Sequence, residues 1–293
     1  MKLALIGCGL LGGSVAAAWR RAGRISEVVA YDRDPARLGQ GLARGIVDHA
    51  AASAAEAMRG ADVIVLATPV GAMAALFAEL ARHAHADAVI TDVGSTKAGV
   101  IAQASAALGA RSARFVPAHP IAGGALPGVE HASADLFAER WVVLTPQDDT
   151  DAGALQWVES SWRESGATVE RMSAPEHDRI FAAVSHLPHL LAFALVDLIA
   201  AQPDGARKLQ FAGAGFRDFS RIAASDPVMW RDVALANGPA LGAELAAFRR
   251  QLDAVQAAVD RGDGEALRQL FERASRVRRE QRFGAAISEG YGD

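Results

Sequence analysis

Three glycines and one aspartate near the amino terminus have the types and the spacing of a dinucleotide-binding site. Gly7, Gly9 and Gly12 form the pattern G-x-G-x-x-G directly after the apolar run at residues 3–6. In such a loop the first glycine allows a tight turn, the second leaves room for a pyrophosphate, and the third lets a helix pack closely. Asp32 ends a second apolar run about 20 residues later, where a carboxylate binds ribose hydroxyls. The pattern predicts an NAD site, and a βαβ turn without a ligand is the alternative.

The charge of Asp32 also bears on which dinucleotide binds. A carboxylate there would repel a 2′-phosphate, so NAD is expected in preference to NADP, although Arg33 and Arg37 could neutralise a phosphate. The same segment could instead be a secretory signal, because Lys2, the apolar run and residues 16–18 imitate its three regions. Cleavage there would remove the first strand of a unit that continues coherently, and we therefore expect a cytoplasmic protein.

Three polar segments follow later apolar runs, and one of them carries a candidate base. In an open parallel sheet, ligands bind at the carboxyl ends of the strands. This places Thr68-Pro69, residues 94–97 and His119-Pro120 at one edge. His119 lies in a loop after a strand and can accept a proton near neutral pH. Ser95 suits a helix N-cap, an active-site hydroxyl, or both, and Lys97 is expected to be a solvated lysine in the first turn of a helix.

Histidines and arginines gather in the second half of the chain. The segment Ser185-His186-Leu187-Pro188-His189 puts two histidines three residues apart, beside a proline that should kink a helix. No matching cysteine or carboxylate set surrounds them, so no metal site is predicted. Arg217, Arg221 and Arg231 lie near Asp218, and arginine is the usual partner of carboxylates. These side chains could bind an acidic substrate or form an exposed cluster of salt bridges.

Strands and helices alternate over roughly the first 170 residues. Segments at 3–6, 28–31, 61–67, 88–92, 114–117, 141–145 and 168–171 predict strands, with helices between most of them. This alternation is typical of a doubly wound, mostly parallel sheet. After Met172 no convincing strand remains, and helix-like segments run near 174–201, 217–224, 226–236, 238–261 and 263–288. We therefore predict an α/β domain over residues 1–172 and an all-helical domain over residues 173–293.

Composition narrows the classes of function. The 293-residue chain has a net charge of −4, which argues against nucleic-acid binding because that needs a basic face. Its single cysteine, Cys8, excludes an internal disulfide and fits a reducing compartment. The longest apolar stretch, residues 187–201, is interrupted by Pro188, His189 and Asp197, so no membrane span is predicted. Alanine-rich helices with little bulk of their own suggest packing against a second copy of the chain.

Taken together, these motifs resemble the prephenate/arogenate (cyclohexadienyl) dehydrogenases of tyrosine biosynthesis. The resemblance covers essentially the whole chain. It is carried in order by Gly7-Cys8-Gly9-Leu10-Leu11-Gly12-Gly13-Ser14, Asp92-Val93-Gly94-Ser95-Thr96-Lys97, His119-Pro120-Ile121-Ala122-Gly123, Ser185-His186-Leu187-Pro188-His189, Gly215 to Arg221, and Met229-Trp230-Arg231-Asp232. The implied fold is a Rossmann-like domain followed by a helical dimerisation domain, with the active site in the cleft between them.

The resemblance also implies a reaction and a role for each matched residue. The reaction is the oxidative decarboxylation of prephenate or arogenate with hydride transfer to NAD, which gives 4-hydroxyphenylpyruvate or tyrosine. His119 would take the proton of the ring C4 hydroxyl, and Ser95 would orient that hydroxyl, His119 and the nicotinamide. The residues expected to bind substrate are His189, Arg221, Arg217 and Trp230, and those expected to bind the cofactor are Gly7, Gly9, Leu10, Leu11, Gly12, Asp32, Arg33, Thr68, Pro69 and Ser95.

One departure from the family pattern leaves the substrate open. After Gly123, family members often carry a polar or acidic pair, where this chain has Gly124-Ala125. That loop is expected near the substrate side chain, so the choice between the keto acid prephenate and the amino acid arogenate stays open.

Two other functions remain as alternatives. A non-catalytic NAD(H)-binding regulator would not need the serine, the two histidines and the arginine of the motifs together. A dehydrogenase of the β-hydroxyacid type would use a lysine from the helical domain. Lys208 is the only lysine after Lys97, and its surroundings do not match that class.

Overall fold

The described chain has an α/β unit followed by a helical unit. The computed structural model describes residues 1–123 and 128–281. One unit runs over Met1–His177, and the other begins at Asp178. The strands of the first unit are β1 (Lys2–Ile6), β2 (Glu27–Tyr31), β3 (His49–Ala50), β4 (Val63–Leu66), β5 (Val89–Asp92), β6 (Phe115–Val116), β7 (Ala118–Pro120), β8 (Trp141–Leu144) and β9 (Thr168–Arg171). Its helices are α1 (Leu10–Arg21), α2 (Pro35–Ala43), α3 (Ala54–Met58), α4 (Met73–His83), α5 (Ala98–Leu108), α6 (Ala152–Glu164) and α7 (Ala174–Phe181), whose last turn reaches the second unit.

A six-stranded parallel sheet forms the centre of the first unit. The strand order is β3-β2-β1-β4-β5-β6, and every neighbouring pair is parallel. The predicted doubly wound fold class is thereby confirmed. The order reverses between β1 and β4, and in such sheets ligands bind outside the carboxyl ends of the strands at that point. The sequence did not predict β3 and α3, which are only two and five residues long.

The last three strands form a second sheet, which corrects the prediction of one continuous sheet. Its order is β7-β8-β9, with β7 antiparallel to β8 and β8 parallel to β9. Pro117 separates β6 from β7, and a proline has no N–H to donate to a ladder. Its carbonyl oxygen instead accepts a hydrogen bond of 3.1 Å from the N–H of Thr145. The chain thus leaves the parallel sheet at Pro117 and pairs with β8.

Aromatic side chains join the helices on one face of this unit. Trp19 of α1 and Trp162 of α6 are fully buried, with ring centroids 5.4 Å apart in an edge-to-face arrangement. Phe137 packs edge-to-face on Trp162 at 5.0 Å. Such pairs stabilise a core beyond the burial of their area. The cluster therefore fixes α6, and with it β9, against the first βαβ unit.

The second unit is entirely helical in its described residues. Its helices are α8 (Leu187–Ala200), α9 (Gly205–Gln210), α10 (Ala214–Ser220), α11 (Pro227–Ala236), α12 (Gly238–Asp260) and α13 (Gly264–Glu280). A π-helical turn at Ala182–His186 links α7 to α8. It precedes Pro188, and a π turn is one way for a helix to accommodate a residue that cannot make the regular bond. The predicted end of the last helix at 288 lies outside the described residues.

Large apolar side chains stay exposed on the helical unit. Those that are more than half exposed include Val184, Leu198, Phe211, Leu235 and Phe271. The continuous helix from Ala174 to Ala200 is long and apolar enough to cross a membrane by length and composition, and only 22% of its most apolar stretch is buried. A helix that packs against another protein chain passes the same test. Exposed apolar area on this scale marks an interaction surface.

We expect Trp162→Ala to lower the free energy of unfolding of the first unit by about 3–5 kcal/mol, because it leaves a cavity between α1 and α6. Trp157→Ala is the matched control, since Trp157 touches the same Trp19 ring but is only half-buried. Urea unfolding followed by circular dichroism measures both. Equal losses in the two variants would contradict the role given to the buried cluster.

Candidate active site

The glycine loop joins β1 to α1 with the geometry that its sequence predicts. Gly7 has a φ of 102°, and a Cβ there would lie 2.5 Å from the carbonyl oxygen of Ala67. A Cβ on Gly12 would lie 2.2 Å from the carbonyl oxygen of Gly7. No larger residue fits at either position without moving backbone. The predicted turn at Gly7 and the close packing at Gly12 are confirmed.

Space remains open beside Gly9. A Cβ placed on this residue would have no heavy atom within 4 Å. Gly9 occupies the N-cap position of α1, with no side chain bonded to the free N–H groups of the first turn. A helix N-terminus with uncovered N–H groups attracts phosphate. The loop therefore has the shape and polarity to hold a pyrophosphate.

Asp32 anchors this loop to the end of β2. Its Oδ2 accepts a 2.8 Å hydrogen bond from the N–H of Cys8, and its Oδ1 accepts one of 2.9 Å from the N–H of Asp34. The carboxylate is buried, and each oxygen can accept a further bond from a ribose hydroxyl. Burial and the charge of Asp32 raise the pKa of the Cys8 thiol to about 11, so Cys8 is a protonated filler of the loop.

Two threonines near the strand ends carry buried hydroxyl groups that could still form hydrogen bonds. Thr68 follows β4, and Thr96 lies between β5 and α5. Neither Oγ1 has a hydrogen-bond partner within the described part of the chain. Buried hydroxyls normally find a partner. Together with the open space at Gly9 and the carboxylate of Asp32, these orphaned groups fit a bound dinucleotide.

The segment after β5 differs from its sequence-based description at two residues. Ser95 does not cap α5, because the N-cap position belongs to Lys97 and no side chain caps it. The Ser95 hydroxyl is half-buried and makes no hydrogen bond to the described residues. Lys97 is fully buried, so the prediction of a solvated lysine is wrong. The error arises because the Lys97 side chain turns back to pair with Asp92 at the end of β5.

A buried ion pair ties this segment to β7. Lys97 Nζ is bonded to Asp92 Oδ2, and neither side chain is exposed. The pair also binds both backbone polar groups of one residue, since Lys97 Nζ donates to the carbonyl oxygen of Ala118 at 2.7 Å and Asp92 Oδ1 accepts from the N–H of Ala118 at 3.1 Å. The N–H of Gly94 donates to Asp92 Oδ2 at 2.8 Å. Ala118 immediately precedes His119, so these bonds fix the backbone that carries the candidate base.

His119 itself contacts a second histidine that sequence reasoning missed. His119 Nδ1 lies 2.8 Å from His177 Nε2, and the two rings meet edge to face with centroids 5.0 Å apart. His119 is 8% exposed and His177 is fully buried. His177 comes from α7, more than fifty positions along the chain, and no local pattern in the sequence connects the two residues.

In the helical unit, His189 is stacked on Trp230. The ring centroids are 3.6 Å apart with an interplanar angle of 18°. His189 Nδ1 lies 2.9 Å from the carbonyl oxygen of Ser185, so Nδ1–H donates and Nε2 stays open for a ligand. Burial, opposed by this hydrogen bond, lowers the pKa of His189, and the charge of Arg221 lowers it further. His189 is therefore neutral at pH 7, as its lowered pKa requires.

The three arginines of this unit have different surroundings. Arg231 pairs with its neighbour Asp232 at 2.7 Å, and Arg217 donates to the carbonyl oxygen of Ala212 at 3.1 Å. Arg221 is exposed and has no hydrogen bond or ion pair among the described residues. The salt-bridge cluster that the sequence allowed does not include Arg221. Its guanidinium is open to an anion.

A second contact missed by the sequence analysis supports the histidine segment. The side-chain amide of Asn237 donates to the carbonyl oxygen of Asp178 at 2.8 Å and lies 3.0 Å from His186 Nδ1. Both His186 and Asn237 are buried, so His186 is a packing residue. Within the described ranges, no group of three or more His, Cys, Asp or Glu side chains could hold a metal ion.

The candidate residues thus fall into two groups. One group contains the glycine loop, Asp32 and Ser95 at the carboxyl ends of the parallel strands, together with His119. His119 lies in the middle of β7 and not in a loop, which corrects the sequence-based prediction, because the chain pairs with β8 directly after Pro117. The other lies in the helical unit and contains His189, Arg221 and Trp230. The first group has the shape of a nucleotide site next to a base, and the second has an open imidazole nitrogen and an unpaired cation.

Known proteins are similar to this chain over most of its length. Residues 15–171 match the family model described as "Prephenate dehydrogenase, nucleotide-binding domain", and residues 173–273 match "Prephenate dehydrogenase, dimerization domain". The cyclohexadienyl dehydrogenase of Zymomonas mobilis is 33% identical over 278 residues, which cover 94% of each chain.

Solved structures agree with these matches. The prephenate dehydrogenase of A. aeolicus, in complex with hydroxyphenyl propionate and NAD⁺, has a TM-score of 0.88 and 34% identity, and the alignment covers 96% of this chain and 98% of that one. The arogenate dehydrogenase of Synechocystis has a TM-score of 0.78 and 29% identity, with 96% and 99% covered.

We expect Lys97→Met to lower the free energy of unfolding by about 3–5 kcal/mol, because it leaves the Asp92 carboxylate buried without its cation. The double variant Asp92→Asn/Lys97→Met should recover part of that loss. Lys208→Met is the matched control, since Lys208 pairs with Asp204 at the surface and such pairs contribute at most about 1 kcal/mol. Urea unfolding of the four proteins is the measurement, and a Lys97 variant as stable as the Lys208 variant would contradict the account.

Proposed function

The chain belongs to the prephenate dehydrogenase family, and from this premise we propose that His119 is the base of its reaction. The protein is an NAD-dependent oxidoreductase that catalyses the oxidative decarboxylation of prephenate or arogenate in tyrosine biosynthesis. The observation that carries the proposal for His119 is its position directly after Ala118, whose N–H and carbonyl oxygen are both held by the buried Asp92–Lys97 pair.

The cofactor end of the site consists of the glycine loop, Asp32 and the threonine segment. NAD⁺, when bound, accepts the hydride that leaves ring C4 of the substrate. The first turn of α1 would hold the pyrophosphate together with Leu10 and Leu11, and Asp32 would bind the adenosine ribose beside the exposed Arg33. Thr68, Pro69 and Ser95 would line the nicotinamide end. These assignments follow from the open space at Gly9 and the orphaned hydroxyls.

His119 is the proposed acceptor of the proton of the substrate C4 hydroxyl. A neutral imidazole can accept the proton of the C4 hydroxyl as the hydride departs, and only a fixed side chain does so efficiently. The Ser95 hydroxyl, which bonds to no described residue, is free to orient that C4 hydroxyl. The ring carboxylate then departs as CO₂, and the electrons of the broken C–C bond aromatise the ring. The C4 oxygen takes the proton back from the His119 imidazolium and becomes the phenol of the product.

The second group of residues is proposed to bind the carboxylates and the ring. Arg221 has an unpaired guanidinium, which is the fork that carboxylates prefer. Arg217 lies one helical turn earlier and adds positive charge. Neutral His189 offers Nε2, and its stacking on Trp230 holds the ring in place. The choice between prephenate and arogenate depends on the protein residues near the substrate side chain. Gly124-Ala125, where the sequence departs from the family pattern, lies outside the described residues.

We also propose a cytoplasmic homodimer. The match to a dimerization domain and the exposed apolar side chains of the helical unit support a pairing of two chains through that unit. The lone cysteine and a substrate class made inside cells support the cytoplasm as the location.

His119→Asn should reduce kcat by about 10²–10⁴-fold, the usual contribution of a positioned base. The wild-type kcat should rise with pH as His119 loses its proton, and the variant should lose this acid limb. Affinities for substrate and NAD⁺ should change much less, because the interaction grows in the transition state. Steady-state NADH formation against pH is the measurement. His49→Asn, at an exposed histidine on β3, is the control, and a His119 variant with that control's profile would make His119 a scaffold residue.

Arg221→Gln should raise KM by about 10- to 100-fold, because it removes one charge-assisted contact with a carboxylate. NAD⁺ affinity should hardly change. The matched control is Arg231→Gln, since Arg231 is committed to Asp232. Substrate and NAD⁺ titrations of both variants test this assignment. Loss of NAD⁺ binding in the Arg221 variant would place the residue in the cofactor site or in the fold instead.

A further inference from the structure

A second buried histidine contacts the ring of the proposed base. His177 Nε2 is 2.8 Å from His119 Nδ1, and the side chain of His177 is fully buried. We propose that His177 is a positioning residue that fixes the tautomer and the ring orientation of His119. The proposal rests on the proposed role of His119 as the base.

The tautomer of His119 decides whether it can act. A neutral imidazole carries one proton, so one ring nitrogen donates and the other accepts. If Nδ1 carries the proton, it donates to His177 Nε2 and leaves the lone pair of Nε2 free for the substrate hydroxyl. The opposite tautomer would present an N–H to the hydroxyl and could not take its proton. His177 thus has to act as the acceptor, with its own proton on Nδ1.

The backbone on both sides of this contact is held in place. His119 follows Ala118, whose N–H and carbonyl oxygen are both bonded to the Asp92–Lys97 pair. The N–H of His177 donates to the carbonyl oxygen of Ser173 at 2.9 Å, in the first turn of α7. The backbone segments that carry the two rings are therefore both held by hydrogen bonds. A histidine whose ring orientation did not matter would not need its backbone fixed in this way.

The pair also suits the state that follows proton transfer. When the O–H bond of the substrate breaks and an N–H bond forms at His119 Nε2, the imidazolium donates from Nδ1 to the neutral His177 Nε2. Hydrogen bonds to charged groups are stronger than neutral ones. His177 has to stay neutral in order to accept, because a second imidazolium at this distance would repel the first.

The charged groups around the pair belong to three elements. Asp92 and Lys97, at the end of β5 and the start of α5, neutralise each other. On α7, Glu176 and Arg179 are exposed to solvent, whereas Asp178 is buried. The partner of His119 across the sheet, Val143 of β8, is apolar. His177 is the titratable group whose ring contacts the His119 ring, with 2.8 Å between the ring nitrogens.

Two variants of similar volume separate acceptance of a hydrogen bond from packing. In His177→Gln the side-chain oxygen can still accept from Nδ1–H, whereas in His177→Leu it cannot. We expect the Leu variant to lose about 10- to 100-fold in kcat, the value of one hydrogen bond to a charged group. Its acid limb should move to lower pH, because the imidazolium has lost its acceptor. KM should stay close to the wild-type value, and the Gln variant should restore most of kcat and the wild-type limb.

The His119→Asn background distinguishes this proposal from the role of His119. If His177 acts through His119, adding His177→Leu to His119→Asn should change kcat by less than about 2-fold. A Leu variant with wild-type kcat and an unshifted acid limb, or Gln and Leu variants equally impaired, would overturn the proposal and leave the role of His119 intact. Normal activity in His119→Asn alone would overturn the proposed base itself. Nitrogen NMR of the folded protein adds a direct readout, since Nδ1 of His119 should carry the proton above the acid limb.

Discussion

The buried ion pair between Asp92 and Lys97 is the interaction on which the rest of the site depends. Two charges without solvent contact are costly unless every hydrogen bond is made, and here the bonds reach the N–H of Gly94 and both polar groups of Ala118. The pair therefore ties the end of the parallel sheet to the strand that carries His119. A structure that broke one of these bonds would leave a charge uncompensated. The position of His119, the proposed base, follows from this constraint.

The cofactor loop is held by the same kind of bond. Asp32, at the end of a neighbouring strand, accepts a hydrogen bond from the N–H of Cys8 in the glycine turn. In the same way Asp92 accepts hydrogen bonds from the N–H groups of Gly94 and Ala118. In both places an aspartate at a strand end stabilises a loop that a ligand must approach. The strands supply rigid ends, and the acidic side chains orient the backbone beyond them. This arrangement would place the proposed nucleotide site at the ends of the parallel strands and the proposed base on the adjoining strand β7.

The sequence predicts most of the fold but only some of the contacts around the candidate base. Periodicity and the glycine spacing are local signals, so the parallel sheet, the turn at Gly7 and the helical second half were predicted correctly. The burial of Lys97 was not predicted, although Asp92 lies five residues earlier, because it also depends on the carbonyl oxygen of Ala118, 21 residues later. His177 was missed because its contact with His119 spans 58 residues. Pro117 was read as the end of a strand, but its effect, a separate sheet, depends on pairing with β8. Contacts between residues far apart in sequence carry no periodic signal.

The most direct test of the account is to follow the hydrogen on ring C4. Prephenate or arogenate with deuterium at C4 would be turned over with NAD⁺, and the NADH and the CO₂ would be quantified. The account predicts equal amounts of NADH and CO₂, deuterium in the NADH, and a slower rate than with the unlabelled substrate. Release of CO₂ without NADH, NADH without the label, or no turnover of either substrate would contradict it.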